Sequence, residues 1–165
     1  MSRLILALCL ALGLLMPAGA MAQTGSYRFT ARESSDGRID FTLHRGANSR
    51  NTRTWERGAL QGLPATPFAV GAALRFRLVR EAGTLACEGR GSGTGGEGEC
   101  RFERAPAYFE GLRQRGVNVS RDWDAVQLAW FEVSLALLDE LRRQGYDTPP
   151  VDDLVAAGIF GVNVA

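Results

Sequence analysis

The chain has 165 residues, with 19 basic against 18 acidic side chains, one histidine and three cysteines. Every basic residue is arginine, which excludes lysine bases, Schiff-base lysines and phosphate loops of the Gly-Lys-Ser/Thr kind. A single histidine excludes most histidine triads and zinc sites.

Residues 1–22 read as a signal peptide. Arg3 supplies a positive start, Leu4 to Met16 an apolar stretch, and Ala20-Met21-Ala22 the small-x-small pattern before a cleavage site. The apolar run is shorter than the roughly 20 residues a spanning helix needs, so no membrane span is expected after cleavage. Residues 23–165 then form a single α+β domain in a periplasmic or secreted setting, with strands over 26–104 and helices over 105–162. The charge is unevenly spread. Residues 26–80 carry ten arginines against four acids, and residues 81–165 carry eight against fourteen. Cys9 lies in the signal, which leaves Cys87 and Cys100. In an oxidising compartment such an isolated pair is expected to form a disulfide.

Tyr27, Phe29 and Ala31 alternate with Arg28, Thr30 and Arg32. After the Ser34-Ser35-Asp36-Gly37 turn, Ile39, Phe41 and Leu43 alternate with Asp40, Thr42 and His44. This period of two marks a hairpin with one greasy and one polar face. A short polar strand follows around Thr52 to Trp55. Leu60 to Val70 reads as a crossover loop, since Pro64 and Pro67 cannot donate to a ladder. Leu74, Phe76 and Leu78 alternate with Arg75 and Arg77, and Glu81-Ala82-Gly83 turns that strand into Thr84 to Gly89. Pairing the latter with Glu97 to Glu103 sets Cys87 opposite Cys100, Leu85 opposite Phe102, Arg90 opposite Glu97 and Glu88 opposite Glu99.

Beyond Ala105 the period becomes helical. Pro106 suits a first turn, and Tyr108, Phe109 and Leu112 form a stripe that ends at Gly116. Asp122 and Asp124 open a long helix running through Trp130 to Leu141, with Arg142 and Arg143 near its end and Gly145 as the stop. A final short helix begins at Thr148-Pro149-Pro150. An offset of 29 aligns Leu112-Arg113 with Leu141-Arg142, Gly116 with Gly145, Asp124 with Asp153, and Val126, Phe131 and Val133 with Val155, Phe160 and Val162. That is a weak internal repeat.

The Leu78-Val79-Arg80-Glu81-Ala82-Gly83-Thr84 segment, the Cys87-Glu88-Gly89 strand and the run Leu141-Arg142, Gly145-Tyr146, Val151-Asp152-Asp153-Leu154 and Gly161-Val162 resemble a group of exported bacterial proteins. Similar modules look to be appended to antibiotic-sensing membrane metallopeptidases. The resemblance covers about residues 26–162 and implies an extracytoplasmic location and this architecture. It carries over no catalytic role: the His-Glu-x-x-His zinc motif is absent, and a Ser-x-x-Lys motif is impossible without lysine.

The run Gly89 to Gly98 spells G-x-G-x-x-G but cannot open a helix, and reads as a flexible hairpin tip. The acid pairs Asp139-Glu140 and Asp152-Asp153 read as helix-surface and capping residues rather than glycosidase carboxylates. Trp123 and Trp130 read as core, and Trp55 as an exposed aromatic. Arg28, Arg32, Arg38, Arg75 and Arg77 share the polar side of the strands, where guanidinium forks suit carboxylate or phosphate. Together with Trp55 they form the expected binding face.

The expected fold is α+β: an antiparallel five- to six-stranded meander followed by three helices packed on one face. The expected function is non-enzymatic, with no catalytic residues, metal or cofactor. It is that of an extracytoplasmic interaction or accessory module for an envelope protein or anionic envelope component, with no nucleic-acid partner. The alternative is a small-ligand binder that holds a lipid or anionic metabolite between sheet and helices.

Overall fold

The computed structural model describes residues 25–162. The signal-peptide expectation for residues 1–22 lies outside them. The strands are β1 (Ser26–Glu33), β2 (Ile39–Arg45), β3 (Ser49–Trp55), β4 (Leu60–Gln61), β5 (Ala73–Arg80), β6 (Gly83–Gly91) and β7 (Gly96–Arg104). They form one antiparallel sheet of seven strands in the order β3-β2-β1-β7-β6-β5-β4. The chain thus makes two meanders, joined by β7 pairing back onto β1. The α+β class holds, but the sheet has seven strands rather than five or six. The additional one is the two-residue β4, where the stretch expected to be a crossover loop from Leu60 onward first pairs with β5, Leu60 opposite Leu78.

The sheet is strongly curled. Strands lie about 4.8 Å apart, so in a flat sheet β1 and β5 would be about 14 Å apart. Yet the rings of Phe29 on β1 and Phe76 on β5 have centroids 5.4 Å apart, and Phe41 on β2 meets Phe76 at the same 5.4 Å. Connectivity demands the same shape. Trp55 ends one edge strand and Leu60 begins the strand at the other edge. Five residues reach at most about 17 Å, whereas the edges of a flat seven-stranded sheet stand about 29 Å apart. The alternating greasy residues therefore face one another inside the curl as well as the helices.

The glycines of β6 and β7 permit this bend. Gly89 lies opposite Gly98. A Cβ on Gly89 would sit 2.1 Å from the carbonyl oxygen of Glu97, and one on Gly98 would sit 2.1 Å from that of Glu88. Only glycine allows so close an approach. The run expected to be a flexible tip is therefore mostly paired strand, and the tip itself is Ser92 to Gly95, closed by the Ser92 N–H donating to the Gly95 carbonyl. Next along the inner face, Cys87 and Cys100 pair in the expected register and form a buried disulfide.

Four helices follow rather than three: α1 (Pro106–Gln114), α2 (Asp122–Trp130), α3 (Leu135–Arg143) and α4 (Val151–Ile159). The long helix expected from Asp122 onward breaks after Trp130. Glu132 there takes a left-handed backbone, φ 56°, and Ser134 caps α3 by accepting from the Leu137 N–H. The break is a property of the repeat. Every helix boundary of α1 and α2 recurs 29 residues later in α3 and α4. The terminal bonds recur as well: Val117 N–H to Leu112 O is matched by Tyr146 to Leu141, and Val133 to Leu128 by Val162 to Ala157. A helix-turn-helix unit is thus present twice, the second covering the first.

Helix α2 is the keystone. Residues Trp123 to Val126 and Leu128 to Trp130 are all buried, the one charged group among them, Asp124, lying 2.7 Å from the Arg121 guanidinium. Trp123 meets Tyr27, while Trp130 meets Phe41 and Trp55. So α2 closes the open side of the curled sheet, and α4 covers α2 from behind, with Gly158 set against Phe131 and Val133.

Candidate functional site

The alternation that buries the greasy residues turns Arg28, Arg32, Arg75 and Arg77 outward, and all four are exposed, as is Arg38. They do not form one basic face. Because the sheet curls, β1 and β5 present their outer surfaces in different directions. Most of these charges are also compensated. Arg32 Nε lies 3.2 Å from Asp40, Arg38 2.6 Å from Asp36, Arg75 3.8 Å from Glu88 and Arg77 3.5 Å from Glu103. The Arg38 side chain holds the Asp36 carboxyl below its ordinary value. Such exposed pairs contribute little to stability, but they neutralise the β5 side and the β1–β2 turn.

Trp55 is not the exposed aromatic that its polar strand suggests: Asn51, Arg53 and Trp55 point inward, and Trp55 is only 4% exposed. Two guanidiniums approach its ring, Arg53 at 4.5 Å and Arg80 at 4.7 Å from the centroid. Arg53 also donates to the Trp130 carbonyl at 2.8 Å and to Glu132 at 2.6 Å, so it ties the β3 edge to the end of α2. Arg80 Nε stands 2.9 Å from Glu132 Oε1 without hydrogen-bond alignment. Burial draws its pKa below the ordinary value, against the pull of Glu132. Trp55 is therefore part of a structural clasp.

The space between sheet and helices, where the alternative would hold a lipid, is filled by Phe29, Phe41, Phe76 and Trp130 in edge and tilted contacts. The open volume lies outside. A polar groove of about 660 Å³ runs over β1, β2 and β3 and is walled by the β6–β7 tip. A second hollow of about 570 Å³ adjoins it and shares Thr30, His44 and Glu97.

Register explains the floor of the groove. Outer residues of the three strands fall into cross-strand rows, Arg28–His44–Arg50, Thr30–Thr42–Thr52 and Arg32–Asp40–Thr54, all of which but Arg28 and Thr54 line the groove. Thr42 and Thr52 share a hydrogen bond of 2.8 Å, and the Thr54 hydroxyl donates to Asp40 at 2.7 Å. Thr30 Oγ1 lies 3.3 Å from His44 Nε2. Burial, then Arg28 and Arg50, lower the His44 pKa, which keeps the ring neutral at physiological pH. Ser92, Thr94 and Glu97 form the wall.

Of the expected binding residues, Arg32 lines the groove and Arg28 the adjoining hollow, while Arg38, Arg75 and Arg77 lie elsewhere. His44, Arg50 and the threonine row were missed. Their signal was available only through register, since the β3 pairing sets Arg50 and Thr52 beside His44 and Thr42. Among the described residues no group of three or more His, Cys, Asp or Glu side chains is placed to hold a metal, and no helix is long and apolar enough to cross a membrane. Comparison with known protein families, curated proteins and solved structures yields no match to the chain.

Proposed function

We propose that the chain is a non-enzymatic accessory module of the extracytoplasmic space that docks on an envelope component through the outer groove of β1–β3. One observation carries the reading: the interior is filled by interlocking rings, while the concave, donor-rich surface faces outward. A buried disulfide fits an oxidising compartment.

The test uses the mature disulfide-bonded chain and an isolated envelope fraction. Charge reversal at the groove and its adjoining hollow, Arg32→Glu with Arg28→Glu, is expected to lower co-sedimentation about tenfold, and salt to weaken what remains. The same reversal at Arg75 and Arg77 is expected to leave retention in place. Equal retention for both double variants refutes the reading.

A further inference from the structure

Two cations beside His44 are uncompensated: Arg50, which lines the groove, and Arg28, which lines the adjoining hollow. Among the described residues neither Arg28 nor Arg50 lies within ion-pair distance of an acid, unlike Arg32, Arg38, Arg75 and Arg77. They stand on either side of His44, one on each neighbouring strand. Directly opposed residues hold their Cβ atoms about 5 Å apart, so the imidazole stands between two guanidinium-bearing side chains.

The acids around His44 are few and mostly engaged. Asp40, on the same face of β2, is held by Arg32 and Thr54. Glu99, opposite Arg28 on β7, accepts from the Ser26 hydroxyl at 3.0 Å. Glu97 lies opposite Thr30, one row away, and lines both hollows with His44, while Arg90, opposite Glu97 on β6, adds a further cation to the second. Beside this cationic row runs the hydroxyl row Thr30–Thr42–Thr52, with Ser92 and Thr94 facing it from the tip. Guanidinium forks suit phosphate and carboxylate oxygens, and neighbouring hydroxyls suit a polyol.

We propose that Arg28, His44 and Arg50 bind an oxyanion, phosphate or carboxylate, carried by a hydroxyl-rich molecule of acidic-sugar type that lies along the threonine row. This deepens the docking reading and rests on it only for the choice of face. An anion seated there favours the imidazolium, so binding and protonation of His44 are coupled.

The chain has one histidine, so its ring C–H resonances report the site without ambiguity. The mature chain is titrated by NMR in inorganic phosphate and in chloride at matched ionic strength. Phosphate is expected to raise the His44 pKa saturably, by about half a unit or more. Arg28→Gln and Arg50→Gln are expected to start from a higher His44 pKa, having lost a like charge, and to lose the phosphate-dependent rise. Identical titrations in phosphate and chloride overturn the site, as does a rise that survives in both variants. Glucuronate half-saturating about tenfold below phosphate supports the hydroxyl row, each neutral hydrogen bond being worth about 1 kcal/mol. Equal half-saturation overturns the sugar-like carrier. Failure here appears as an unmoved His44 resonance, whereas failure of the docking reading appears as unchanged envelope retention in the charge-reversed chain.

Discussion

Glu132 occupies in the first helical unit the position that Gly161 occupies in the second, 29 residues later, and both have left-handed backbones, φ 56° and 67°. A side chain costs about 1–2 kcal/mol in that region. Glu132 offsets this by reaching Arg53 and Arg80 beneath the β3 edge. The backbone and charge contributions can be separated. Glu132→Ala keeps the strain and loses the pairing, while Glu132→Gly loses both. The glycine variant is expected to exceed the alanine variant in stability by about 1 kcal/mol. Urea denaturation at constant m-value reads the difference, and a glycine variant no more stable than alanine contradicts the account.

Glu132 also shows where legibility ended. The stretch Trp130-Phe131-Glu132-Val133 has no glycine or proline, so local rules continue the helix through it. The repeat contains the answer, since the offset that aligns Gly116 with Gly145 also sets Glu132 on Gly161. The β6–β7 register was readable because two cysteines and the Leu85/Phe102 pair admit a single alignment. The curl was not. It depends on the Gly89/Gly98 contact and on the short link between the two edges, neither of which leaves a periodic trace. The groove was missed for the same reason: Arg28, His44 and Arg50 lie on three strands and meet only in the folded ladder. Trp55 misled because its polar neighbours Thr52 and Thr54 hide an inward-facing alternate row.

The Cys87–Cys100 bond joins residues 13 apart in sequence. Closing a loop of that size is expected to contribute about 3 kcal/mol by limiting the unfolded chain. The double variant Cys87→Ala with Cys100→Ala, or the wild-type chain under reductant, should lose that amount in urea denaturation. Midpoints that do not respond to reductant would refute the contribution.

Tyr108 donates its buried hydroxyl to the Val133 carbonyl at 2.7 Å, joining α1 to the chain just after α2. Burial, then the nearby Glu81 carboxylate, raise its pKa above the ordinary 10.0. The native state therefore holds this proton more tightly than the unfolded chain does. The contribution is complete below pH 10.0 and is lost as pH rises above that value through the folded-state pKa. Tyr108→Phe is expected to cost about 1–2 kcal/mol at neutral pH by leaving the carbonyl unpaired. It should also flatten the alkaline decline in stability without abolishing it, because Tyr27 is raised too. An unchanged alkaline slope in the variant counts against the assignment.

If the bend of the sheet rests on backbone approach at Gly98, one methyl group there should be felt throughout the fold. The added Cβ of Gly98→Ala meets the Glu88 carbonyl oxygen at 2.1 Å and the Gly89 Cα at 2.5 Å, both backbone atoms that no rotamer change can move. Relief requires the strands to separate where Phe29 and Phe76 meet across the curl, so the cost should reach about 3 kcal/mol, the upper end for overpacking. Gly58→Ala is the matched control. Its Cβ would meet nothing within 4 Å, so the same substitution should be neutral, or stabilise by up to about 1 kcal/mol through the unfolded chain. Thermal and urea unfolding of the two variants decide the matter: similar stabilities for both would show that the curl does not depend on the glycine pair.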